Sequence, residues 1–143
     1  MFSAKHLKIG RLGEDIACQF LKENNWKIIL RNYTKPWGEI DIIAQKDKGP
    51  LVFFEIKSLE KIRQSDHSSF AELNPEDNLT SQKLKKLEKA CESFANSNSG
   101  LINENKGWRI DLISIAIQKG VEADTILTNI EKYCEIKHYP NIS

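Results

Sequence analysis

Two apolar runs, joined by a turn and each marked by charge, constrain what this chain can fold into. Gly38-Glu39-Ile40-Asp41 leads into Ile42-Ile43-Ala44, and after Lys46-Asp47-Lys48-Gly49-Pro50 the chain resumes as Leu51-Val52-Phe53-Phe54-Glu55-Ile56-Lys57. Short runs of β-branched and aromatic residues bounded by glycine and proline form strands, and the turn between them makes an antiparallel hairpin. The second run is apolar on both faces up to Glu55, as in a central strand covered from both sides. Side chains alternate along a strand, so Glu55 and Lys57 leave the same face. Two carboxylates and an ammonium at the ends of adjacent buried strands are costly to desolvate unless they pair or hold a metal. Asp41, Glu55 and Lys57 therefore suit a divalent cation that activates water beside a phosphodiester.

The rest of the chain supplies helices around such a sheet. From about Lys5 to Asn24, the residues Ile9, Leu12, Ile16, Ala17, Phe20 and Leu21 recur at helical spacing. Gly10 and Gly13 lie inside that helix, where glycine costs stability unless something approaches the backbone closely. Glu14 sits at the edge of the apolar stripe and can face a boundary between core and cleft. Trp26 to Tyr33 reads as a first strand, Trp37 to Gln45 as the second and Leu51 to Ser58 as the third. From Leu59 to Leu79 there is no periodicity, only a long polar connection of the kind that is usually functional or mobile. A second helix follows from about Thr80 to Ala95, with Leu84, Leu87, Ala90, Cys91 and Phe94 as its stripe, and Trp108 to Ile117 is a fourth strand. Beyond Gly120 the pattern weakens, and Ile130 to Tyr139 reads as a short last strand.

Composition excludes several classes. A chain of 143 residues with 29% charged and 40% hydrophobic residues is one ordinary globular domain, residues 1–143. A formal net charge of +1 rules out a basic coat for nucleic acid, so any basic surface is local. No apolar run reaches the length of a membrane span, and Met1 to His6 has no signal-peptide core. Cys18, Cys91 and Cys134 are odd in number and far apart, which argues against a disulfide framework and for the cytoplasm. His6, His67 and His138 lack zinc-ligand spacing, and only His67, in the long loop, draws notice.

In this order, helix, three strands, helix, strand, the motifs Gly10-x-x-Gly13-Glu14-x-x-Ala17, Gly38-Glu39-Ile40-Asp41, Phe54-Glu55-Ile56-Lys57 and Arg109-Ile110-Asp111 resemble the YraN-like family. That family belongs to the restriction-endonuclease-like superfamily, with its PD-(D/E)xK site. The resemblance runs from about Lys8 to Ile115. It implies an α/β domain with a mixed central β-sheet flanked by α-helices. It also implies a magnesium- or manganese-dependent endonuclease acting on structured, branched DNA. By this resemblance Asp41 and Glu55 hold the metal, with the Ile56 carbonyl as a further ligand and Glu14 completing the shell. Lys57 orients or deprotonates the attacking water, or stabilises charge on the phosphate. The catalytic set is then Glu14, Asp41, Glu55 and Lys57. Lys83 and Lys86 of the second helix are the candidate contacts to nucleic-acid phosphates. The partner is nucleic acid and not a membrane, and a homodimer is compatible with this reading.

Plainer readings stand beside these. Glu55 and Lys57 could form an exposed ion pair, Asp41 could cap a strand end, and Glu14 could be a helix-surface carboxylate. Arg109 and Asp111 share a face and most simply pair with each other or with the first helix. Trp37 could stack on a base, or cover the edge of the core. Where relatives carry an arginine after the lysine, this chain has Ser58-Leu59-Glu60, and its long loop holds Glu72, Glu76 and Asp77. The rival to a nuclease is a non-catalytic module that keeps the fold and uses the cleft to bind nucleic acid or protein.

Overall fold

The computed structural model describes residues 4–61 and 79–143, with side chains from residue 8 onward. Helix α1 (Ala4–Glu23) is followed by strands β1 (Lys27–Lys35), β2 (Gly38–Gln45) and β3 (Leu51–Lys61). Then come helix α2 (Ser81–Ser97), strand β4 (Trp108–Gln118), two short helices α3 (Ala123–Thr128) and α4 (Ile130–Tyr133), and strand β5 (Cys134–Tyr139). The sheet order is β1-β2-β3-β4-β5, with β3 and β4 parallel and every other neighbour antiparallel. This is the mixed α/β architecture of restriction-endonuclease-like domains.

Both faces of the sheet are covered, which is why β3 reads as continuously apolar. Ile16, Ala17 and Leu21 of α1 pack on Ile42, Val52, Phe54, Ile113 and Ile115. Leu87, Ala90, Cys91 and Phe94 of α2 pack on Ile40, Ile43, Phe53 and Ile110 from the other side. Asn25, at φ 68°, ends α1, and the Trp26 N–H then reaches back to the Leu21 carbonyl at 2.9 Å. Thr80 starts α2, its hydroxyl accepting from the Lys83 N–H at 3.2 Å. Among the described residues no helix is long and apolar enough to cross a membrane. Cys18 and Cys91 are buried free thiols and Cys134 is half-buried and free.

Three expectations need correction. β3 continues to Lys61, because Leu59 to Lys61 stay paired with Ala116 to Gln118 of β4. The polar connection is therefore shorter than expected; its remainder, 62–78 with His67, lies outside the described residues. The last strand begins at Cys134 rather than Ile130, the four residues before it forming α4. The close approach inferred from two glycines holds for one of them. A Cβ on Gly13 would overlap the Ser58 hydroxyl and come within 2.9 Å of Ser58 Cβ, whereas one on Gly10 would meet nothing within 4 Å.

β2 and β3 are paired only from Gln45↔Leu51 to Ile42↔Phe54. Past that rung β2 stays with β1 as far as Lys35↔Gly38, and β3 stays with β4 as far as Lys61↔Gln118. The sheet forks there, and α1 spans the gap. Gly13 lies on Ser58 of one prong, while Asp15 bonds Arg31 of the other at 2.8 Å.

Beside the C-terminal end of β5, Asp111 on β4 is fully buried, and sequence reasoning identified only one of its partners. Arg109 Nε donates to it at 2.9 Å, His138 Nε2 lies at 2.7 Å, and the Asn141 N–H donates at 2.9 Å. Burial raises its pKa, but the hydrogen bonds from His138, Arg109 and Asn141 outweigh that and hold it below the usual carboxylate range. This carboxylate therefore ties the C-terminal residues to the sheet.

Two predictions follow from the packing. Gly13→Ala should lose about 1–3 kcal/mol in urea melts through overlap with β3, while Gly10→Ala should be neutral or gain up to ~1 kcal/mol of helix propensity. Ser58→Gly should recover most of the Gly13→Ala loss. Asp111→Asn should cost ~2–3 kcal/mol at neutral pH. Because its folded pKa is depressed, the stabilisation is present above the unfolded value of about 4 and lost as pH falls through the folded one. The difference between parent and Asp111→Asn should therefore shrink in acid; a difference that is flat with pH would refute the charge-based account.

Candidate functional site

Asp41 stands on one prong of the fork and Glu55 on the other, each one residue past the last rung Ile42↔Phe54. Continued pairing would have set the two residues opposite each other. Instead the Ile56 N–H donates to Asp41 Oδ2 at 2.8 Å, so the carboxylate occupies the place of the next backbone acceptor. Ile40 packs on the α2 side and Ile42 on the α1 side, so the residue between them sits where the regular alternation of β2 is interrupted.

The fork opens into a cleft of about 880 Å³, lined by Glu14, Arg31, Asn32, Glu39, Asp41 and the Glu55–Ser58 edge among others. A second cleft of about 450 Å³ adjoins it on the α2 side, where Glu39, Glu55, Ile56 and Lys57 meet Lys83, Lys86 and Leu87. Glu55 and Lys57 therefore border both openings. Of the expected residues, Glu14, Asp41, Glu55, Ile56 and Lys57 come together around the first cleft, and Lys83 and Lys86 around the second. The simple exposed ion pair at Glu55 does not describe this placement, since Glu55 is half-buried between the two openings.

The electrostatics are those of charge held without enough compensation. Burial, then the charges of Glu14 and Glu39, push the Asp41 carboxyl up to about 7, against the lowering effect of the Ile56 N–H. Burial, then Asp41, Glu39 and Glu14, push Glu55 up to about 8, with Lys83 opposing. Glu14 is raised as well, first by burial, while Arg31 and a hydrogen bond from Asn32 pull it down. The Lys83 charge thus reaches the fork from the first turn of α2.

Whether these residues fit a divalent ion can be judged from the donor set. Magnesium is commonly held by one or two carboxylates, with waters and substrate phosphates filling its remaining positions. Asp41 and Glu55 meet that need, and their raised pKa values mark a pair that a cation would relieve. Among the described residues, however, no group of three or more His, Cys, Asp or Glu is placed to hold an ion. Glu14 lines the same cleft and acts on the pair through its charge.

Sequence reasoning overlooked Arg31 and Asn32. Asn32 is in the left-handed region at φ 53° within β1, and it hydrogen-bonds Glu14. An asparagine in a strand otherwise rich in isoleucine, leucine and tyrosine was the available signal, since asparagine is disfavoured in strands but tolerates that conformation.

The raised carboxylates give a stability test that needs no activity. A carboxylate whose folded pKa lies above its unfolded value stabilises fully below the unfolded value, and that contribution is lost as pH rises through the folded one. In chelator, the parent should lose stability between about pH 4 and 8. Asp41→Asn, whose amide oxygen can still accept from the Ile56 N–H, should flatten that decline and exceed the parent by ~2 kcal/mol at pH 8. Parallel stability curves for the two proteins would show that the pair is not strained.

Comparison with known proteins agrees with this architecture. Residues 13–115 match the family described as Uncharacterised protein family UPF0102. A UPF0102 protein of Campylobacter jejuni is 39% identical over 106 residues, covering 74% of this chain and 81% of the relative. One from Flavobacterium johnsoniae is 33% identical over 112 residues, covering 78% and 84%. Another from Fervidobacterium nodosum is 30% identical over 132 residues, covering 92% and 79%. The matched span contains the Gly13-Glu14 pair, the forked β2–β3 hairpin and the Arg109-Asp111 segment. The chain belongs to the uncharacterised protein family UPF0102, the YraN-like family of the restriction-endonuclease-like superfamily.

Proposed function

We propose that this protein is a magnesium- or manganese-dependent endonuclease that hydrolyses phosphodiester bonds in structured, branched DNA. The observation that carries the proposal is the fork. It sets Asp41 and Glu55, both raised by burial and then by neighbouring carboxylates, at the root of one cleft that Lys57 also lines. Asp41 and Glu55 would hold the cation, with the Ile56 carbonyl as a further oxygen donor. A bound divalent ion supplies Lewis acidity and lowers the pKa of water.

The chain's own groups do the remaining work. The Ile56 N–H holds one Asp41 oxygen and so orients that carboxylate. Lys57 offsets negative charge as water oxygen bonds to phosphorus and the bond to the leaving oxygen breaks; the water's proton passes to solvent or to the leaving oxygen. Glu14, at the cleft wall, acts at one remove through water. Lys83 and Lys86 hold neighbouring phosphates from the α2 side.

A second reading, a cleft that binds without cutting, draws on the same raised carboxylates, since a basic group of a partner would relieve them as a cation does. Melting curves and cleavage assays separate the two. Magnesium or manganese should raise the parent's melting temperature, and the parent should cut a four-way junction in preference to linear duplex. Lys57→Ala should keep the metal-induced shift and lose cleavage by about a hundredfold or more, as expected for loss of a charge acting in the transition state. Asp41→Asn should lose both. Glu14→Gln should weaken the metal response with little effect on stability. Equal metal shifts in parent and Asp41→Asn, with no cleavage by either, would leave the binding module as the better account.

A further inference from the structure

Trp37 has a position that neither the core nor the metal chemistry explains. Its side chain is 48% exposed, and neither core cluster includes it. The other two tryptophans are used structurally: Trp26 packs edge-on against Phe54 and Trp108 edge-on against Phe53. A single exposed hydrophobic side chain is ordinary by itself. Its placement gives it meaning. Lys35 pairs with Gly38, so Pro36 and Trp37 alone form the tip of the β1–β2 hairpin.

That tip is poorly chosen for turning. Two-residue hairpin loops favour glycine or asparagine at positive φ. Proline fixes φ near −65° and excludes those turns, and Trp37 is not at positive φ. The residues at the tip thus rigidify it and present an indole, at the expense of turn propensity. The tip is also anchored. A Cβ on Gly38 would come within 3.0 Å of the Lys86 carbonyl oxygen and 3.1 Å of Ala90 Cβ, so the hairpin end lies directly on α2. Gly38 and Glu39, the next residues in the chain, line the α2-side cleft together with Lys57, Lys83 and Lys86. An exposed aromatic residue one position along the chain from a cleft lined by three lysines is a combination that suits unpaired bases: the cations follow the backbone and the ring takes a base face.

We propose that Trp37 is a stacking platform for an unpaired nucleobase of a nucleic acid whose backbone lies in the cleft. The preferred substrate then carries splayed or single-stranded bases beside the forked site rather than blunt duplex. This rests on the nucleic-acid reading above and adds to it a specificity that the carboxylates and lysines do not supply.

The test compares parent, Trp37→Ala and Trp37→Phe by anisotropy of labelled oligo-dT, oligo-rU and a blunt duplex of the same length. Calcium replaces magnesium so that strands stay intact. The parent should bind oligo-dT or oligo-rU more tightly than duplex, and the two single strands show whether a deoxy or ribo backbone is preferred. Trp37→Ala should weaken single-strand binding about tenfold, equivalent to about 1.4 kcal/mol, and duplex binding less than about twofold. Trp37→Phe should recover most of the single-strand affinity, and indole emission should be quenched on binding in the parent beyond that seen in Trp37→Phe. Equal affinities of parent and Trp37→Ala for single strands, or equal losses on single strand and duplex, would overturn the stacking role while leaving the nucleic-acid cleft standing. A parent that binds none of the three probes would overturn both. Thermal melts of all three proteins, expected to coincide because Trp37 packs in neither core cluster, separate lost stacking from lost folding.

Discussion

The structure depends on one interrupted ladder. β2 pairs with β3 for only four rungs, then leaves it to follow β1, while β3 continues beside β4. A fork in a sheet exposes backbone groups that would otherwise be paired, and buried unpaired groups are costly. Here the Asp41 carboxylate takes up the Ile56 N–H at the root of the fork. That single bond satisfies a donor, aims a carboxylate, and places it next to Glu55. The helices hold the prongs apart: α1 through Gly13 on β3 and Asp15 on Arg31 of β1, and α2 through its seat on Gly38. The cleft is thus a consequence of how the sheet divides, and the residues that line it are those nearest the division.

The sheet contains an internal comparison of what buried carboxylates do. Asp111 is fully buried, yet its pKa is depressed because Arg109, His138 and the Asn141 N–H surround it. Asp41 and Glu55 are raised because burial and other carboxylates outweigh one hydrogen bond and one lysine. Carboxylates of one sheet are therefore pushed in opposite directions by their partners. The first pattern is that of a structural tie, since every lone pair is used within the fold. The second leaves free energy available to a ligand that brings positive charge, which is the physical content of treating shifted carboxylates as functional.

Much of this was legible in the sequence, and the parts that were not share a cause. The two apolar runs with Asp41 and Glu55 were readable because burial, alternation and the Lys46–Pro50 turn are all local signals. The close contact at Gly13 was readable because glycine inside an amphipathic stripe is locally costly. Gly10 carried the same signal without the same cause, since propensity cannot tell which glycine faces the sheet. The extension of β3 to Lys61 depends on its pairing with β4, a partner distant in sequence, so Leu59 to Lys61 looked like the start of a loop. The division of Ile130–Tyr139 into a helical turn and a strand, and the link from His138 to Asp111, likewise arise from tertiary contacts. For Trp37 the sequence leaves two readings open, stacking on a base and covering the core edge, and the side chain belongs to neither core cluster.

A nearly neutral chain with an acidic fork also constrains how any phosphate could approach. With a formal net charge of +1, the whole molecule offers little long-range steering to a polyanion. Without a cation, Asp41 and Glu55 relieve their crowding beside Glu14 and Glu39 by holding protons near neutral pH, and above that range the cleft where the proposal puts a phosphate turns negative. Lys57, Lys83 and Lys86 border that place but do not remove the carboxylates' mutual repulsion, as the raised values of Asp41 and Glu55 show. Cation and phosphate would each lower the cost of binding the other. Linkage makes such an effect reciprocal: the factor by which an ion tightens nucleic-acid binding is the factor by which nucleic acid tightens ion binding. On the proposed reading, two carboxylates would leave positions on an ion open for water and phosphate, and would repel a phosphate that arrived without the ion.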